Sequence, residues 1–470
     1  MKGEVIVVGG GLAGLSAALR LGDSGYRPIV LESRRRLGGR ASSFDDAISG
    51  RAFDNCQHVL MGCCTNLLDF YTRIGVEDAI EWHDTIAWCR PDGGRDIMRA
   101  KCLPAPFHLA TSFGRMKLLD GPGKRAVRRA MWRTLRIGRR GRHRYAGRCF
   151  RSLLDQWRQP EDAVRLFWEP IIVSACNTPL DQVAAVHGLQ VFQDGFLAGR
   201  WHATMGVPRV PLRELYEPAL AAITDAGGEV RLGWRASGIG SERRRVVGVE
   251  TGRGFVRGDT VIAALPWAQL DGLIDPSLRK LDSRLTHLSE LGHSPILGVH
   301  LLLDRPVMET PHLVMPGRET HWFFNKGTGD DGTQHIHAVV SAADAWMDRS
   351  GDAIEAAVLA DLAHACPGVR DAEVLLVRPV KERQATFLAS AEAEKVRPRV
   401  APSPIGTGGG DLEGLYLAGD WCDTGWPATM EGAVRSGYLA AEAIAGVPLV
   451  VNDAPAGLLV RLLGAGSKGR

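Results

Sequence analysis

The chain of 470 residues has no run of about eighteen apolar residues, so no segment reads as a helix that crosses a bilayer. Its nine cysteines are odd in number and form no Cys-x-x-Cys pair, although Cys63 and Cys64 are adjacent. That usage speaks against a disulfide framework or a thiolate metal site, and no metal is expected. It fits free thiols in a reducing compartment, and a first strand from residue 4 is expected to leave no room for a signal peptide. A cytoplasmic protein is the expectation. Acidic residues are missing between Lys124 and Arg148, where eleven Lys and Arg fall. Taking these eleven from the 57 basic residues leaves 46 against 53 acidic ones, so the formal charge of +4 conceals a net −7 outside one basic patch. Such a patch suits an anionic surface. No nucleic-acid module accompanies it, and no nucleic-acid partner is expected.

What is present is the composition of a globular protein with a large core, 45% hydrophobic and 23% charged. The length calls for two interleaved domains. The chain opens with the apolar strand Val5–Val8, then Gly9-x-Gly11-x-x-Gly14, then a helix from Leu12 to Leu21. Gly9 permits the tight turn and Gly11 lets a pyrophosphate approach the backbone. Gly14 lets helix and strand pack closely, and the helix N-terminus, with Leu12 and Ala13 in its first turn, offers free N–H groups to phosphate. A second strand, Pro28–Leu31, ends in Glu32, a carboxylate placed for a ribose 2′-hydroxyl. Strand, glycines, helix, strand and acid within about thirty residues are the context a dinucleotide site demands.

After Glu32 the stretch Ser33-Arg34-Arg-Arg-Leu-Gly38-Gly39-Arg40-Ala41 resembles a motif of the flavin amine oxidase and carotenoid desaturase superfamily. The resemblance implies that the paired glycines and Arg40 run along the pyrophosphate and ribityl chain of FAD. About 400 residues on, Gly414-Leu-Tyr-Leu-Ala-Gly419-Asp420 and then Pro427-Ala-Thr-Met430-Glu431-Gly-Ala433 resemble the second FAD signature of that superfamily. Asp420 is placed to accept from a ribityl hydroxyl, and the N–H groups around Met430 to face the flavin edge where negative charge collects. Ala236, where the family often has Val, would lend its backbone to the adenine. The glycine stretch 406–410 lies in a Pro-rich loop and does not make a second nucleotide motif, so flavin reduction is expected to need an external electron donor or a nicotinamide bound without this motif.

The implied fold is α/β, with a Rossmann-type FAD-binding domain drawn from 1–75, 207–275 and 400–447. A second, substrate domain of mostly antiparallel sheet plus helices takes 76–206 and 276–399, and 448–470 forms a tail. Within the superfamily, the segments 53–76, 167–180 and 206–216 are similar to the hydroxysqualene dehydroxylases of hopanoid biosynthesis. That resemblance implies hydride transfer from reduced FAD to an allylic alcohol, hydroxysqualene, giving squalene. His58 is the expected proton donor for the leaving hydroxyl and Gln57 its orienting neighbour; a core histidine bonded to a backbone carbonyl is the alternative. Residues 124–148, with Val127, Trp132, Leu135 and Ile137 between arginines, read as a basic amphipathic helix. It is either a solvated face or a surface for the inner leaflet of the cytoplasmic membrane. A carotenoid or phytoene desaturase and a flavin amine oxidase are the rival readings, the latter needing an aromatic cage for which Trp421 and Trp426 are the candidates.

Overall fold

The computed structural model describes residues 2–403 and 410–464. Positions 406–409 of the glycine stretch and the last six of the tail therefore lie outside the described residues. A parallel sheet orders its strands Glu229–Leu232, Arg27–Glu32, Glu4–Val8, Val261–Ala263 and Leu415–Leu417. Val5–Val8, Ile29–Leu31 and Val261–Ala263 are runs of buried apolar residues, as a covered parallel sheet requires. Burying each such side chain contributes ~1.5–3 kcal/mol. Val7, Val30, Val261 and Leu415 are fully buried.

The helix expected from Leu12 runs to Asp23 and packs on Met430–Ala445. The contact is close because Gly437 has no side chain: a Cβ there would lie 2.2 Å from the Ala13 carbonyl oxygen. Ser16 Oγ seals it with a 3.2 Å hydrogen bond to the Val434 oxygen. A three-stranded meander, Ala236–Glu242, Arg245–Thr251 and Gly254–Arg257, lies beside this unit.

The second sheet has seven strands in the order Val374–Thr386, Ser294–Leu303, Gln334–Ser341, Trp322–Thr328, His312–Val314, Thr85–Cys89 and Arg95–Arg99. Every pairing in it is antiparallel except Val314 with Trp88. Thr85–Cys89 and Arg95–Arg99 form a hairpin about Pro91–Gly94, and Trp82 lies outside it. That residue belongs to Ile80–His83, which pairs with Met205–Pro208 in a separate small sheet.

Helices pack against the second sheet. The helical stretch from Glu161 to Cys176 contains a π-helical turn, Val164–Trp168, between Glu161–Ala163 and Glu169–Cys176. Another π-helical turn, Val191–Phe196, continues Ala185–Gln190. The basic stretch is a helix, Gly121–Gly141, that starts on Asp120, whose carboxylate accepts from the Gly123 N–H. Gly138, at φ 65° and ψ 167°, breaks its axis. No helix among the described residues is long and apolar enough to cross a membrane.

Candidate functional site

One cavity of about 840 Å³ runs from the carboxyl ends of the parallel strands to the helices on the second sheet. At its sheet end the glycine loop is built by exclusion. Gly9 has φ +112°, and a Cβ there would meet the Ala264 oxygen at 2.3 Å. A Cβ on Gly14 would sit 1.9 Å from the Gly9 oxygen, so Gly14 serves helix–strand packing and does not line the cavity. Gly11 differs: its Cβ would have only Gly39 Cα, at 3.8 Å, within reach. The room beside Gly11 belongs to the cavity. Gly11 caps the helix Leu12–Asp23 with no side-chain bond, so the first-turn N–H groups at Leu12 and Ala13 are open to an anion.

Glu32 is buried at the end of its strand. Its Oε2 accepts from the Gly10 N–H at 2.7 Å, and its Oε1 from the Arg34 N–H at 2.7 Å and the Ser33 hydroxyl at 3.1 Å. These bonds fix the carboxylate and leave lone pairs for ribose hydroxyls. Gly38 and Gly39 have positive φ, and the Gly38 N–H bonds the Gly10 oxygen, which lays the second motif along the first. Arg34 spans the turn to the Gly39 oxygen at 3.1 Å. Arg40 pairs with Asp420, joining the two distant signatures in one wall. Ala41, Ala236 and Gly419 also line the cavity.

Thr429 caps the helix Met430–Ala445 by accepting from the Gly432 N–H. The N–H groups of Met430 and Glu431, in the first turn of that helix, stand at the cavity wall, which Ala433 continues. The side chain of Glu431 takes no part there. Its carboxylate accepts from the N–H groups of Asn66 and Leu67 and from the Asn66 amide, so it anchors the helix Thr65–Arg73. Its contribution to a cofactor is its backbone alone. Burial raises the pKa of this carboxyl against those hydrogen bonds. A cradle with glycines where a side chain would intrude, free helix N–H groups and a fixed acid for ribose fits FAD.

His58 and Gln57 line the same cavity. The His58 ring does not have the bias expected of a proton donor. Its Nδ1 lies 3.0 Å from the Cys56 carbonyl oxygen, which only accepts, so Nδ1 carries the proton of the neutral ring. Burial lowers its pKa, which leaves Nε2 an acceptor at neutral pH. Gln57 does not orient that ring either. Its amide donates to the main-chain oxygen of His58 at 3.3 Å and accepts from Lys326 Nζ at 3.3 Å. The alternative reading, a histidine satisfied by a backbone carbonyl, describes the bond formed.

The far wall is apolar, with Ile86, Trp88, Ile171, Phe196, Trp322 and Phe324. Asn177 ends the helix Glu169–Cys176 in a left-handed conformation, φ 47° and ψ 42°. Its amide donates to Ser294 O at 3.0 Å and Thr386 Oγ1 at 2.9 Å and accepts from the Ala342 N–H at 2.7 Å, pinning that wall to the sheet. Asn177 therefore both ends the helix and lines the cavity. Asp194, in the second π-helical turn, lines the cavity while its carboxylate receives Arg139 and Arg142. Sequence reasoning did not single out Asp194 or Gln190. Neither lies in a motif, and a π-helical turn has no composition of its own.

The chain matches the family described as Flavin containing amine oxidoreductase over residues 12–445. It is 27% identical over 464 residues to 15-cis-phytoene desaturase of an Oncidium hybrid cultivar, covering 94% of this chain and 77% of that one. It is 27% identical over 447 residues to hydroxysqualene dehydroxylase of Zymomonas mobilis, covering 93% and 97%. Its fold is similar to the crystal structure of an oxidoreductase from Methanosarcina mazei, with a TM-score of 0.71 at 18% identity over 94% of this chain and 100% of that one.

Proposed function

The chain belongs to the flavin containing amine oxidoreductase family and is an FAD-dependent oxidoreductase, and from that premise we propose that it is a hydroxysqualene dehydroxylase. Reduced FAD supplies a hydride for an allylic carbon, so that hydroxysqualene, hydride and a proton give squalene and water. The observation that carries the reading is the joining of the nucleotide cradle to one large, apolar-walled cavity. An isoprenoid chain buries apolar surface there at ~0.8 kcal/mol per CH₂. The match to the Zymomonas mobilis protein over 97% of its length supports the same choice. An external donor delivers the electrons.

The chain's own residues divide the work. Arg40, Glu32 and the N–H groups at Leu12, Ala13 and Met430 hold the cofactor. His58 presents Nε2 on the cavity wall as an acceptor, and the apolar wall excludes water. The proton for the leaving hydroxide comes from a group other than resting neutral His58.

Docking on the inner face of the cytoplasmic membrane belongs to this reading. The helix Gly121–Gly141 buries Val127, Ala130 and Leu135 and exposes Arg125, Arg128, Arg129, Arg133 and Arg136 beside Trp132. Leu458–Gly464 lies along this helix, with the Gly464 oxygen 2.9 Å from the Cβ position of Gly138, and leaves Leu458 and Leu462 64% exposed. Arginines around exposed Trp and Leu suit anionic lipid. Charge reversal at Arg128, Arg129 and Arg133 should abolish sedimentation with anionic liposomes.

A phytoene-type desaturase is the second reading. A neutral His58 able to accept a proton supports it, as does the 27% identity to the Oncidium protein. The amine-oxidase cage has less support. Trp421 donates its indole N–H to the Leu265 oxygen at 2.9 Å and does not line the cavity, whereas Trp426 does. Anaerobic incubation of the photoreduced enzyme with hydroxysqualene decides the matter. Squalene formation with flavin reoxidation is expected; bleaching of the oxidised flavin by phytoene or an amine would instead select a rival.

A further inference from the structure

Gln190 ends the helix Ala185–Gln190 where the π-helical turn Val191–Phe196 begins. It is 2% exposed, it lines the cavity, and neither its Oε1 nor its Nε2 has a hydrogen-bond partner among the described residues. Asn177, on the preceding helix, bonds with both ends of its amide. Gln193, three residues on, donates to the Thr134 oxygen at 2.9 Å. Buried amides are almost always paired, because an unmet donor and acceptor away from water destabilise the fold. Here the unmet amide belongs to a residue of the cavity wall.

The surroundings define that partner. Val191, Phe196 and Ile171 are the apolar lining of the same region. Asp194 is the nearby carboxylate in sequence, and Arg139 at 2.5 Å and Arg142 at 2.6 Å already neutralise it. A cationic head therefore finds no free negative charge at Asp194. A hydroxyl donates and accepts, as a primary amide does.

We propose that Gln190 is the polar anchor of the substrate cavity, binding the hydroxyl of an otherwise apolar molecule and so selecting an alcohol over the matching hydrocarbon. The inference rests on the reading of the cavity as an isoprenoid site, but it concerns binding and not the reaction. Turnover and selectivity can therefore fail separately.

The test titrates the FAD-loaded protein, in its oxidised form, with hydroxysqualene and with squalene, following the flavin absorbance. Wild type should bind the alcohol about tenfold more tightly, the scale of one hydrogen bond. In Gln190→Leu and in Gln190→Met the ratio should fall to about one with FAD content unchanged. The ligand-free variants should melt no lower than wild type, since an unpaired amide has been replaced by an apolar group. An unchanged ratio in both variants, no preference for the alcohol in wild type, or loss of FAD or folding in both variants would each overturn the assignment. Selective alcohol binding without squalene formation by the reduced enzyme would refute the dehydroxylase reading and leave Gln190 in its role.

Discussion

Arg139 Nε lies 2.5 Å from Asp194 Oδ1, so a residue of the basic surface helix neutralises a carboxylate of the cavity wall. The break at Gly138 precedes this arginine. Arg142 meets the other carboxylate oxygen at 2.6 Å, and Arg139 also donates to the Ala454 oxygen at 3.0 Å. Replacing both arginines by Met should destabilise the protein by ~3–5 kcal/mol, the cost of leaving a buried charge unpaired. Either single variant should cost less, because the remaining arginine still pairs and Arg139 is partly exposed. Urea unfolding of the three variants measures this. Equal stability of the double variant and wild type would refute it.

Gly11 and Gly14 are separated by three positions and should fail differently. Gly14→Ala puts a methyl 1.9 Å from the Gly9 oxygen, so the strand–helix unit must shift and the apoprotein should lose stability. Gly11→Val meets no protein atom closer than 3.8 Å at its Cβ, so the fold should survive while FAD is excluded. Melting temperature and flavin content after purification separate the two. A Gly11→Val protein that retains full FAD would place the cofactor elsewhere.

Asn177 should tolerate neither of its simplest replacements. Asn177→Gly keeps the left-handed conformation and removes three hydrogen bonds; Asn177→Ala loses both. Unpaired buried groups left at Ser294 and Ala342 predict a loss of ~1–3 kcal/mol each. The glycine variant should be the less damaged of the two. Denaturant titration gives the order, and equal values would remove the conformational part of the argument.

Acid should destabilise the protein through its buried histidines. His300 Nε2 donates to the Asp54 oxygen at 2.9 Å, and its ring stacks at 4.0 Å between centroids on His337, both of whose nitrogens lack partners among the described residues. Burial lowers the pKa of His300 to about 4 and, with the neighbouring His300, that of His335 to about 2; His337 is also held well below its ordinary value by burial. Each folded ring binds its proton less readily than the unfolded one, whose pKa is ~6.5. Stability is therefore full above pH 6.5 and is lost as the pH falls from there towards 4 and below. His337→Leu should leave stability at pH 7 equal or higher and make the acid loss shallower. An equally steep loss in that variant would exclude His337 from it.

The cofactor cradle was legible because its causes are local. The clash that makes Gly14 obligatory involves Gly9, five residues away, and Glu32 is fixed by Gly10 and Arg34. The strand Ser294–Leu303 and the helix Gly351–Ala365 likewise follow from local apolar pattern. The order of the seven-stranded sheet was not legible, because Ser294–Leu303 finds its second partner about eighty residues later and Val314 finds Trp88 far upstream. Glu431 sits in the second signature, yet its carboxylate turns to a helix more than 360 residues away in sequence.

The sequence by itself determined what the protein holds: the first glycine loop and Glu32 specify a dinucleotide cradle through steric and hydrogen-bonding demands that a short segment meets alone, and the resemblance of the two later signatures makes that dinucleotide FAD. Only the tertiary structure decided the condition of the other groups. His58 is an acceptor because Cys56 and burial make it one, Asp194 is neutralised from a surface helix, and Gln190 stands unpaired on the wall. Protonation and pairing depend on which distant atoms close around a side chain, and that is a property of the packed molecule.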